Sequence, residues 1–321
     1  MARKRPSRTR RRPQVPDAAR RAMTIGRDLA AEVLRFRNRA LKQRASAVRR
    51  MAPGRALVRS VPPVLVRAAG GLDRTGVLVA EGDSWFDYPW HDVLRMLEDQ
   101  HGYDVESVAH RGDTVESMAY TGQLEEFARV IEKLLRQNTI PSAILLSGGG
   151  NDIAGDQFQM LLNHVRSAHA GLNDQVVNGV IDVRIFDAYV TILAAVTDVC
   201  RQRTGTLIPI VVHGYDHAVP DGRGVLGGWG PLPGPWLQPS LREKGFEDPT
   251  ACKDLVASLI DRFNTMLRRV TTLSDFAHVR YLDLRGTLAN DATYRTWWAN
   301  ELHPTERGFA AVADRFAAII A

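Results

Sequence analysis

The 321-residue sequence predicts an α/β fold built on a central parallel sheet with helices on both faces. Two patterns carry that expectation. Short apolar runs rich in Val, Ile and Leu recur at Gly76–Ala80, Val105–Ala109, Ser142–Ser147, Leu207–His213 and Val279–Leu284, each closed by Gly, Asp or His. Such runs read as strands buried on both faces, as parallel strands are. Longer stretches with helical spacing separate them, and no internal repeat is present.

In chain order, residues 1–16 are a charge block broken by prolines and are expected to be disordered. A helix is expected from Asp17, an N-cap after Pro16, to about Met51, with Ile25, Leu29, Val33, Phe36, Leu41 and Val48 at roughly helical spacing between arginines. Pro53-Gly54 stops it. Three readings of this arm stay open: a helix packed on the body with a solvated basic face, a basic amphipathic helix on anionic membrane or nucleic acid, or a disordered extension. It lacks the aromatic interleaving and motifs of specific base recognition. The division expected is a basic extension over 1–70 and one globular domain over 71–321.

Within that domain, helices are expected at about 90–100, 123–137, 155–168, 181–202 and 250–272, and from Thr305 to Ile319. The stretch 214–246 breaks the alternation. It is dense in Gly and Pro, contains Trp229 and Trp236, and follows a strand, so it emerges where open α/β sheets bind ligands. A loop this long is read as covering a substrate.

Charge is divided unevenly. Residues 1–70 carry 20 Lys+Arg against 3 Asp+Glu, a net +17, and the rest carries 22 against 33, a net −11. The body is therefore mildly acidic and the arm basic. Cys200 and Cys252 are too few for a disulfide framework and fit a reducing compartment. No apolar run is long enough to span a bilayer, and no apolar stretch with a small-residue cleavage site follows the Arg-rich N-terminus. The expected location is cytoplasmic.

Four blocks carry chemistry. Gly82-Asp83-Ser84 follows the first apolar run and places a serine just beyond a strand end, where neighbouring N–H groups favour negative charge. Alone, it is an ordinary turn. Gly112 follows the second run and can offer its N–H to an oxyanion. After the third come Gly148-Gly149-Gly150-Asn151-Asp152, whose glycines admit a ligand closely and whose Asn151 can point its amide at developing charge. The glycines fit neither a P-loop nor G-x-G-x-x-G. Asp152 is read as a helix cap. His303-Pro304 precedes the last helix and supplies a base.

Together the blocks resemble the SGNH hydrolases, the GDSL-type esterase/lipase superfamily, over roughly residues 74–321. The four motif positions fall on Ser84, Gly112, Asn151 and His303. The resemblance implies a flavodoxin-like three-layer α/β/α sandwich. It also implies a serine hydrolase of carboxylic esters, thioesters or acetylated sugars, needing no metal or cofactor. Ser84 is then the nucleophile, and the oxyanion hole is the N–H groups of Ser84 and Gly112 with the Asn151 side chain. Two departures stand out. No asparagine shortly precedes Gly112, and Asn300 replaces the usual aspartate three residues before His303. Three ways remain to orient the imidazole: Asn300 through its side chain or backbone, Glu301 folding back with its charge, or no partner at all. Asn300 is favoured, and with it the expectation that Glu301→Gln changes little. The missing aspartate also supports a rival reading, a degenerate hydrolase whose basic arm binds nucleic acid or anionic membrane.

Trp85, Phe86, Tyr88 and Trp90 are expected to pack the first helix, with one or two lining a pocket as the alternative. His213, Asp216 and His217 lack a recognised metal-binding spacing. The partner expected is a small-molecule ester.

Overall fold

Apolar runs become five parallel strands: β1 (Gly76–Glu81), β2 (Tyr103–Ser107), β3 (Ala143–Leu146), β4 (Ile210–His213) and β5 (Val279–Leu282). Their order is β2-β1-β3-β4-β5, the flavodoxin-like arrangement. The computed structural model describes residues 15–51, 74–227 and 232–321. The disorder expected over 1–16 falls almost wholly outside them, as does all of 52–73.

Among the described residues, the helices around the sheet include α1 (Asp17–Met51), α2 (Val93–His101), α3 (Val115–Tyr120), α4 (Gly122–Arg136), α5 (Phe186–Thr204), α6 (Pro249–Thr271) and α7 (Glu306–Ile320). α2 packs against α7, while α3, α4 and α6 pack against α5. Right-handed crossovers produce this division, because the chain steps one way from β1 to β2 and the other way thereafter. Order reverses between β1 and β3, where the turns after both strands meet at the carboxyl edge. No helix among the described residues is long and apolar enough to cross a membrane.

Three local expectations need correction. Only Asp156–Met160 of the stretch 155–168 is helical, and the chain then enters a short antiparallel ribbon, Leu162–Asn163 with Gly171–Leu172. Asn163 drives the change: its amide donates to the His169 carbonyl at 2.8 Å and its Oδ1 accepts from Asn173 at 3.1 Å. Side-chain bonds of this kind compete with helix. The helix α3 was not anticipated, although Thr114 and Ser117 form a capping box across its first turn. Finally, 214–246 is not irregular throughout, since Gln238–Glu243 forms one and a half turns of helix.

The first helix lies on the body, but by only part of the stripe its large apolar residues trace: Val33 is buried and Leu29 packs against the core. Ile25, Phe36 and Val48 are exposed, and the buried face runs through Ala19, Ala22, Met23, Ala30, Val33 and Leu34. Small residues allow close approach to α5. At Gly26 a Cβ would stand 2.2 Å from the Thr191 carbonyl oxygen. The fully buried Glu132 of α4 adds a polar tie, pairing with Arg37 of α1 at 3.1 Å and Arg203 of α5 at 2.9 Å. Beyond Leu41 the helix is mostly exposed and strongly basic. Because Gly26 has no room for a side chain, Gly26→Val should destabilise the α1–α5 contact by about 1–3 kcal/mol. A lowered Tm and faster proteolysis within 17–51 are the expected readouts, and an unchanged Tm would contradict the packing.

Candidate active site

β1 ends at a turn that only glycine can enter: a Cβ on Gly82 would meet Ser147 Cβ and the Phe86 ring, each at 2.8 Å. The next residue fixes the turn. Buried Asp83 accepts from the Trp85 N–H at 3.0 Å, from Ser147 Oγ at 2.8 Å and from the Tyr215 hydroxyl. Its backbone carbonyl accepts from the N–H groups of Phe86 and Asp87 at 3.0 and 3.1 Å, so one tight turn starts at Ser84. That turn holds the serine at the rim. Glu81, just before it, is pushed up to about 8 by burial.

His303 reaches this serine from the far end of the chain. Its Nε2 lies 2.7 Å from Ser84 Oγ, and its Nδ1 lies 2.9 Å from Asn300 Oδ1. The amide orientation follows from its neighbours. Asn300 Oδ1 also accepts from the N–H groups of Leu302 at 3.0 Å and His303 at 2.9 Å, and Nδ2 donates to the Tyr88 hydroxyl at 3.1 Å. Only an oxygen can face those backbone donors, so Nδ1 carries the imidazole proton. Nε2 is left with its lone pair toward the serine. Tyr88 stacks on the imidazole at 4.3 Å and 20°, and Trp236 meets it edge-on at 5.3 Å. Buried between these rings, His303 is pushed down to about 3, because burial penalises the charged form.

Gly112 and Asn151 open on the same recess as Ser84 and His303, a hollow of about 330 Å³. Gly112 adopts φ +90°, and nothing lies within 4 Å of where its Cβ would be. Neither its N–H nor that of Ser84 donates to another described residue. Asn151 sits in the short helix Gly150–Ile153 and donates one Nδ2 hydrogen to the Asp113 carbonyl at 2.9 Å, which leaves the other free for a ligand. Gly149 takes φ +103°, and a Cβ there would stand 2.3 Å from the Phe263 ring. Asp152 caps α3 through the Val115 N–H at 2.9 Å, an earlier helix rather than the following one. Burial raises it to about 6.

The sequence model of the GDSL-like lipase/acylhydrolase family matches residues 76–311. The chain belongs to that family. As a GDSL-like acylhydrolase it is an ester hydrolase. Among solved structures, a catalytic mutant of an acetylxylan esterase from Geobacillus stearothermophilus is similar at 14% identity, covering 78% of this chain and 96% of its own, with a TM-score of 0.40. An extracellular lipase from Streptomyces rimosus is similar at 14% identity, covering 76% and 99%, with a TM-score of 0.41. A comparison with curated proteins finds no match.

In this acylhydrolase Glu301 does not turn toward the imidazole. Its carboxylate accepts four backbone N–H groups from the Gly/Pro-rich stretch, from Gly222 at 2.9 Å, Trp236 at 2.6 Å, Leu237 at 2.7 Å and Gln238 at 3.0 Å. Burial raises its pKa, and those donors oppose the rise. Arg223 reinforces the junction by donating to the carbonyls of Ala299 and Trp298. Gly222, Arg223 and Trp236–Gln238 are thus pinned to the segment that carries His303; Trp229 lies outside the described residues. Of the aromatic group, Trp85 and Phe86 are core, while Tyr88 and Trp90 line the recess. His213 is enclosed by Trp85, Phe86, Tyr215 and Phe316. Asp216 accepts from the N–H groups of Gly286 and Leu288, and His217 pairs with Asp261. The roles of Asp83 and Glu301 had no local signature, because their partners come from distant segments.

The expectation of a silent Glu301→Gln therefore changes. An amide nitrogen would face two N–H donors, at a cost of about 1–3 kcal/mol for each one left unsatisfied. Hydrogen exchange at Trp236, Leu237 and Gln238 should accelerate, and unaltered protection at these amides would contradict the anchoring role.

Proposed function

We propose that the chain cleaves carboxylic esters through an acyl-enzyme on Ser84, with His303 as base, Asn300 as its positioning residue, and Ser84, Gly112 and Asn151 as oxyanion donors. One observation supports this most: the hydrogen-bond chain from Ser84 Oγ through His303 to Asn300 Oδ1, whose direction the backbone donors on Asn300 dictate. His303 Nε2 takes the hydroxyl proton as Oγ bonds to the acyl carbon. Charge on the carbonyl oxygen meets the N–H groups of Ser84 and Gly112 and the free Nδ2 hydrogen of Asn151. Each such donor typically contributes about 10²–10³ in kcat. The alkoxide then leaves with the proton held by His303. Water enters, gives a proton to the same nitrogen and attacks the acyl carbon, freeing the acid and restoring the serine.

An amide at residue 300 orients the ring without a charge to stabilise imidazolium, so the base is weak and turnover modest. The substrate is a small ester, thioester or acetylated sugar. The exposed basic end of α1 offers anionic membrane or nucleic acid a contact, which hydrolysis in this scheme does not require.

Labelling by a fluorophosphonate probe should map to Ser84, and Ser84→Ala should abolish p-nitrophenyl ester hydrolysis with little change in Tm. Activity surviving in Ser84→Ala would exclude this nucleophile. The pH profile follows from His303, which must be neutral to accept a proton. With its pKa at about 3, kcat/KM should show no acid limb as pH falls from about 8 to about 5. Asn300→Asp places a charge beside Nδ1, which raises the imidazole pKa by about 1–3 units and moves that limb upward while keeping or raising kcat. An unmoved limb in Asn300→Asp would remove Asn300 from its role.

A further inference from the structure

Two recesses share Ser84 in their walls. The inner one is apolar, walled by Ile153, Ala154, Leu237, Val256, Leu259 and Ile260, and has about 50 Å³ of free space. The outer one is the hollow of about 330 Å³, walled by Tyr88, Trp90, Trp236 and His303. Both touch Ser84, Asn151 and Leu302, but only the outer one touches His303 and Gly112.

Given the serine-hydrolase reading above, proton transfer assigns the two halves of an ester to these recesses. The leaving alkoxide takes its proton from His303 Nε2, so the alcohol lies on the side the imidazole lines. The acyl group stays bonded to Ser84 Oγ and extends into the other recess. We propose that the inner recess is the acyl site and restricts the enzyme to short, uncharged acyl groups, with a flat or ring-shaped alcohol in the outer recess.

Size and chemistry support both parts. An apolar cavity of about 150 Å³ takes benzene, so about a third of that volume takes two or three carbons. The two carboxylates at the inner wall are already engaged, Asp83 by Ser147, Tyr215 and the Trp85 N–H, and Asp216 by the N–H groups of His217, Gly286 and Leu288. Among the described residues, no cation lines the inner recess to receive a charged acyl tail. In the outer recess Trp90 is 63% exposed and holds φ +72°, a left-handed conformation that is rare for a bulky residue. Strain of this kind clusters at ligand-binding positions. Indole faces at a wet mouth suit a planar or ring partner.

Two substrate series test the assignment: p-nitrophenyl acetate, butyrate and octanoate vary the acid, and ethyl, phenyl and 2-naphthyl acetate vary the alcohol. Wild-type kcat/KM should favour acetate or butyrate over octanoate by at least about tenfold. Leu259→Ala should raise octanoate relative to acetate, and Ala154→Leu should lower butyrate relative to acetate, with the alcohol ranking unchanged in both. Trp90→Ala should raise KM for 2-naphthyl acetate relative to ethyl acetate and leave the acyl ranking alone. If Leu259→Ala does not fold, the wild-type series and Ala154→Leu decide. Octanoate as the best wild-type substrate would overturn the proposal, as would an acyl ranking moved by Trp90→Ala but not by the inner variants. Such results with hydrolysis still lost in Ser84→Ala would leave the nucleophile in place, whereas activity persisting in Ser84→Ala would remove the reading beneath it.

Discussion

The carboxylate of Asp83 is the constraint on which the site depends. It lies buried among the ends of three neighbouring strands, bonded to Ser147 after β3, to Tyr215 after β4 and to the turn after β1 that carries Ser84. The Tyr215 hydroxyl in turn receives the Gly150 N–H, at 3.3 Å, from the segment that carries Asn151. One carboxylate thereby sets the spacing between the Ser84 hydroxyl and the Asn151 amide, which arrive from different crossovers. Hydrogen bonds to a charged group are worth about 1.5–3 kcal/mol each, enough to hold a turn that the sheet alone would leave loose. The parallel sheet brings these segments to one edge, and Asp83 fixes their distance.

His303 shows a second compromise. Tyr88 and Trp236 exclude water from the imidazole, and that burial makes the ring a poor proton acceptor. A carboxylate beside Nδ1 would offset the penalty, but Asn300 supplies only a dipole. Its oxygen also closes the local turn through two backbone donors, so residue 300 shapes the loop as well as the tautomer. Orientation and charge, which one aspartate would combine, are separated in this chain.

Much of this is legible in the sequence alone. Strands buried on both faces announce themselves as apolar runs, and Gly82, Ser84, Asn151 and His303 stand at their ends or just before a helix. What stayed hidden depends on distance along the chain. Asp83 finds Tyr215 across 132 positions, and Glu301 finds Trp236 across 65, pairings that no local pattern encodes. The stripe of α1 departs in part from its large apolar residues for another reason. Periodicity weights large residues, whereas close approach to α5 selects Ala and Gly. Asn163 turned an apparent helix into a ribbon by satisfying backbone groups with its side chain, which hydrophobic spacing does not register.

The seating of α1 also bears on what the basic arm is for. Ala22, Met23, Ala30 and Val33 shield the outer surface of α5 from water. Trimming the arm to ask whether its arginines attract a polyanion would uncover a greasy strip on the body at the same stroke. Clumping of the shortened protein would then report lost shielding, whatever the arm's charge attracts. Recharging the outward arginines to glutamate, with the helix left in place, separates these two jobs.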